Sequence, residues 1–98
     1  MTVIEFQSLK EPSILSPLLM ALWQDGQGDW HKAHELAQDV ETADGAWVHA
    51  YLHRKEGDAS NANYGYRQAG KKIPTQTLKQ EWEEIVTELL KKESVRKA

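Results

Sequence analysis

The chain's four histidines all fall between residues 31 and 53, as the pairs His31/His34 and His49/His53. Imidazole ordinarily titrates near neutrality, so it serves as general acid, general base, or ligand to zinc and similar divalent metals. His49 and His53 stand four residues apart, about 40° around a helix, so both rings leave one face. Glu56 lies one turn beyond His53 on nearly the same face. It can orient an imidazole or supply a fourth ligand. Ala50 follows His49, so the glutamate of a His-Glu-x-x-His metalloprotease helix is absent. The competing reading is structural, with each histidine bonded to a carbonyl, glutamate or tyrosine across a packing seam. His31 sits away from the apolar face of its segment and reads as a solvated side chain.

A second stripe runs through Trp47, Tyr51 and Arg54 at steps of four and three, and Lys55 extends it. Aromatic area beside a guanidinium suits a partner surface, since arginine offers a two-pronged contact to an anion. The same stripe also serves as core if the N-terminal arm or the last helix covers it. Tyr64, Tyr66 and Arg67 have the residue types of a base-stacking face, but the local charge is too small for nucleic acid to be a partner.

The elements that must hold these groups are helical. Residues 2–9 are ambiguous between an extended arm and a short helical turn, and Pro12 ends them. Ser16-Pro17 opens a first helix whose run Leu18 to Trp23 stops in Gln24 to Gly28. Leu18, Leu19 and Leu22 encircle it, so residues 2–9 or a second copy of the chain must cover it. Asp29 caps a second helix to about Glu41. A third runs from about Gly45, with Asp44 as its cap, to Glu56, where Gly57 terminates it. Asp58 caps a fourth, ending near Ala69 and Gly70. Pro74 and Thr75 or Thr77 open a fifth, with Leu78, Trp82, Ile85, Val86, Leu89 and Leu90 as its apolar stripe. Its tail, Lys91, Lys92, Arg96 and Lys97, suits the negative end of a helix dipole. Lys71 and Lys72 do no more than end a helix.

Composition bounds the rest. The 98 residues make one domain, with 40% hydrophobic and 28% charged side chains and no cysteine. Thiolate zinc sites, disulfides and cysteine nucleophiles are thereby excluded. Residues 1–45 hold eight acidic and two basic side chains, against seven and ten in residues 46–98. The start lacks a secretory signal and no run spans a bilayer, so a cytoplasmic protein with no membrane partner is expected.

Gly28-Asp29, Ala33 and Ala37 return 29 residues later as Gly57-Asp58, Ala62 and Tyr66. Gly57, Ala62, Tyr66, Ala69 and Pro74 together resemble the second half of a tetratricopeptide repeat; Gly28, Trp30, Ala33 and Ala37 repeat it more weakly, so the resemblance covers residues 14–74. The resemblance implies an all-α fold of about five helices: an arm at 1–13, two stacked hairpins at 14–74, and a capping helix and tail at 75–98. Here the period is 29 rather than 34, and His49 and His53 stand where that family keeps leucine and tyrosine. Stacked hairpins would turn His34 toward the seam of His49 and His53, with Asn63 reaching the same region. They would also put Trp47, Tyr51, Arg54 and Lys55 in a concave, peptide-gripping groove.

Two functions follow as expectations. One is a binding or assembly module for a protein or peptide, with a homodimer as one form, needing no cofactor. The alternative is a pocket of His34, His49, His53, Glu56 and Asn63 between the second and third helices. It would take zinc, a similar divalent metal or a small anion, with hydrolytic chemistry as one outcome. An enzyme is the less favoured of the two.

Overall fold

A computed structural model describes residues 1–10 and 15–97, with side chains as far as Glu93. Pro12 and the side chains of Arg96 and Lys97 lie outside the described residues. Every described element is helical: α1 (Val3–Gln7), α2 (Pro17–Gly26), α3 (Trp30–Gln38), α4 (Ala43–Glu56), α5 (Ala59–Ala69) and α6 (Leu78–Lys97). None is long and apolar enough to cross a membrane.

Neighbouring helices form two hairpins, α2 with α3 and α4 with α5, and α3 packs on α4 to join them. The duplicated Gly-Asp phrase is duplicated in backbone geometry. Gly28 and Gly57 adopt φ of 92° and 91°, a left-handed conformation open to glycine at little cost. In each turn the following aspartate N–H reaches back to the helix it leaves, Asp29 to the Gln24 carbonyl and Asp58 to the His53 carbonyl, both at 2.9 Å. The aspartate side chain then caps the next helix, accepting from Lys32 N at 3.0 Å and Asn61 N at 3.2 Å.

Several boundaries differ from the sequence expectation. α2 runs through Asp25 to Gly26, because Asp25 is drawn inward instead of ending the helix. α3 stops at Gln38 rather than Glu41. Thr42, not Asp44, caps α4, its hydroxyl accepting from Gly45 N at 3.0 Å. Asp44 instead takes Lys92 Nζ at 2.8 and 2.9 Å. α6 begins after Thr77, which exchanges reciprocal bonds with Gln80 at 3.1 Å, leaving Pro74 and Thr75 outside it.

Residues 3–7 form a helical turn, closed by a reciprocal Thr2–Glu5 capping box. The turn exists to insert Phe6, which is fully buried 5.8 Å from the Trp82 ring. Two indoles pin this corner. Trp23 donates to the Leu9 carbonyl and Trp82 to the Leu22 carbonyl, each at 3.0 Å. Leu18, Leu19 and Leu22 are buried within the chain's own core, so the apolar girth of α2 no longer argues for a second copy. On α6, Trp82, Ile85, Val86 and Leu89 are buried as the stripe predicts.

Candidate functional site: three imidazoles between the hairpins

α4 carries His49 and His53 on the face turned to α3, and α3 carries His34 on the facing side. Val40, Thr42 and Gly45 make the corner that sets this approach. A Cβ built on Gly45 would sit 2.0 Å from the Val40 carbonyl oxygen, so only glycine lets α4 start this close to α3. The rings of His34 and His49 lie 4.6 Å apart between centroids, those of His49 and His53 4.5 Å, and those of His34 and His53 5.3 Å. One nitrogen from each ring falls within 4.8 Å of the others. All three side chains are half-buried, leaving a path to solvent.

Surrounding groups fix the ring planes. Trp30 stacks on His34 at 5.0 Å and 20°, and its own N–H is anchored on the Leu52 carbonyl at 2.9 Å. His34 Nε2 and His49 Nε2 are 2.8 Å apart. Such a contact needs one nitrogen protonated and the other bare, so these two rings are in opposite tautomers when neutral. Burial holds the pKa of both His34 and His49 below the ordinary histidine value, with the neighbouring His53 pushing the same way. His53 Nδ1 faces Glu56 Oε2 at 2.7 Å and lies 4.0 Å from Asp58 Oδ2. Its Nε2 has no carboxylate partner among the described residues.

Glu56 meets His53 at Nδ1 and is not among the groups gathered within 4.8 Å with His34 and His49. Asn63 is half-buried on α5, which packs on α4 but not on α3, and it makes no hydrogen bond to the three rings. His31 is exposed, with Trp30 edge-on at 5.4 Å, as a solvated first-turn side chain should be.

The open groove expected along Trp47, Tyr51, Arg54 and Lys55 is corrected by burial. Trp47 is 4% and Tyr51 2% exposed, because α6 and the segment before it close over this face. Lys71 Nζ sits 4.0 Å over the Trp47 ring, so this lysine does more than end a helix. Tyr51 donates to Asp25 at 3.1 Å and Lys55 to the same carboxylate at 2.8 Å. Arg54 pairs with Glu81 at 2.9 Å and also bonds the Gln76 carbonyl, while Tyr66 donates to Glu81. Burial pushes both phenols far above the ordinary tyrosine range, with the facing carboxylates adding to it. Tyr66, at 1% exposed, presents no stacking surface.

The buried acids Asp25 and Glu81 were not singled out from the sequence. Position 25 beside two glycines reads as a turn, and position 81 shares its helix turn with three other carboxyl or amide groups. The burial of Tyr66 and Arg54's place opposite them are tertiary facts. Comparison of the chain with protein-family models, curated proteins and solved structures finds no match.

Proposed function

We propose that the protein binds one divalent transition metal ion, zinc or a close analogue, through His34, His49 and His53. The observation that carries this reading is the convergence of three ring nitrogens, one from α3 and two from α4, within 4.8 Å. An imidazole-only donor set suits zinc, copper, nickel and cobalt, and disfavours magnesium and calcium.

The His34–His49 pair needs little change, and His53 would close in from within 4.8 Å. Tetrahedral ligands at about 2.0–2.1 Å from zinc stand about 3.3 Å from each other. The His34–His49 nitrogens, at 2.8 Å, would open by about half an ångström and give up the shared proton. One ring moves its proton from Nε2 to Nδ1, so above the histidine pKa values binding costs a tautomer change and no net proton. The lowered pKa values of His34 and His49 favour the neutral state a metal requires.

Among the described residues no fourth His, Asp or Glu joins these three within 4.8 Å. The remaining position would go to water or a small exogenous anion. Because His34 belongs to the first hairpin and the others to the second, the ion would also fasten the two hairpins together.

The test is calorimetric titration of protein made without a histidine tag, using zinc and cobalt. One equivalent is expected, with a rise in melting temperature that chelator reverses. At a free metal concentration one hundred times Kd, the stabilisation is about 2.7 kcal/mol. Loss of binding in each of His34→Gln, His49→Gln and His53→Gln completes the assignment. A wild-type protein that takes up no metal ends it.

A further inference from the structure

Resting on the three-histidine reading, we propose that Glu56 is a positioning residue that selects the His53 tautomer and thereby sets the affinity of the metal site. His53 has two ring nitrogens, and only an unprotonated Nε2 can join the cluster. A carboxylate at Nδ1 accepts a proton and has none to give, so it holds the proton on Nδ1 and leaves Nε2 bare. Glu56 Oε2 does this at 2.7 Å.

The assignment falls on Glu56 and not on Asp58 for a geometric reason. Asp58 is the cap of α5, accepting from Asn61 N at 3.2 Å and from Asn61 Nδ2 at 2.7 Å. Asn61 thus occupies both carboxylate oxygens, and Oδ2, the one that takes Asn61 Nδ2, stays 4.0 Å from His53 Nδ1. Glu56 makes no other hydrogen bond or ion pair among the described residues.

The backbone explains why both carboxylates gather here. Glu56 is the last helical residue and lies three positions from His53, one turn along the same face. Gly57 then reverses the chain in a left-handed conformation, and Asp58 N bonds the His53 carbonyl itself at 2.9 Å. Thus the hairpin turn presents acceptors to Nδ1, while the His53 ring stands 5.3 Å from the His34 ring on α3. A sequence reading sees Glu56 only as near His53. The turn decides which nitrogen it meets.

Two measurements test this, and one of them needs no metal. Nitrogen-15 NMR of the metal-free protein above pH 7.5 should find His53 in the Nδ1–H form. In Glu56→Ala it should revert toward the Nε2–H form that an unconstrained neutral histidine prefers. Zinc titration should then show Kd weakened about 10–100-fold in Glu56→Ala, with Glu56→Asp recovering part of the loss and Asp58→Asn within a few-fold of wild type. Melting temperatures without metal should stay close to wild type, since Glu56 is a surface residue.

An Nε2–H His53 in the wild-type metal-free protein would overturn the proposal. So would wild-type zinc affinity in Glu56→Ala, or two equivalents of zinc with one seated on Nδ1. If the wild type takes no metal yet the NMR result is as expected, the metal reading fails while Glu56 keeps its tautomeric role.

Discussion

α4 presents polar side chains to two sides, and the two groups are finished differently. Toward α2 and α6 it offers Tyr51, Arg54 and Lys55, which meet the buried carboxylates Asp25 and Glu81. There each acid has two or more donors, and no buried side-chain polar atom of the described residues lacks a partner. Toward α3 it offers His49 and His53, which meet His34. In that group donors are scarce. Two nitrogens share one proton and a third has its proton held outward by Glu56. A satisfied network holds register and has nothing left to bind. A group of imidazoles short of donors has room for the cation proposed above.

That contrast can be broken from the closed side first. Arg54→Ala strips the guanidinium from Glu81, which is about 1% exposed, and leaves a buried carboxylate with Tyr66 alone. Breaking such a pair costs about 3–5 kcal/mol, so thermal unfolding should move down by more than about 10 °C. A change near zero would mean that Glu81 is not held as described.

Gly45→Ala strikes the corner that brings α3 and α4 together. Its methyl would meet the Val40 carbonyl, a backbone atom that cannot rotate away. We expect a loss of about 1–3 kcal/mol by denaturant unfolding, together with weaker zinc binding. Lost stability with zinc affinity untouched would separate the corner from the site.

On the same closed side, Lys55→Ala should cost less than Arg54→Ala, about 1–3 kcal/mol, because that lysine is 38% exposed, so water can replace it at Asp25, which keeps Tyr51. The pH dependence is smaller still and belongs to the open side. The folded protein holds His34 and His49 below their ordinary values, so the unfolded chain binds more protons as pH falls. Stability should therefore be full above pH 6.5 and decline as pH drops through the lowered values. His49→Gln should flatten that decline in urea melts taken between pH 7.5 and 5. An unchanged slope would place its origin elsewhere.

The sequence carried the helices well because their ends are written locally. Ser16, Asp29, Asp58 and Thr77 cap, and Gly57 and Gly70 turn, each within four residues of the bonds they make. The pairing of His49 with His53 was legible for the same reason, as a four-residue step on one helix. His34 was legible only through the hairpin repeat, which implied that α3 lies against α4. The fate of Trp47 and Tyr51 was not legible. Whether an aromatic stripe lines a groove or fills a core depends on where α6 lands, over 20 residues away in the chain. Asp44 was misplaced as a cap because Thr42, two residues earlier, competes for the same helix end.

X-ray absorption at the zinc edge tests the central claim most directly, on tag-free protein loaded with one equivalent. The account predicts three imidazole nitrogens at about 2.0–2.1 Å, seen by their ring scattering, plus one light atom. A shell of oxygens, or fewer than three imidazoles, would contradict it.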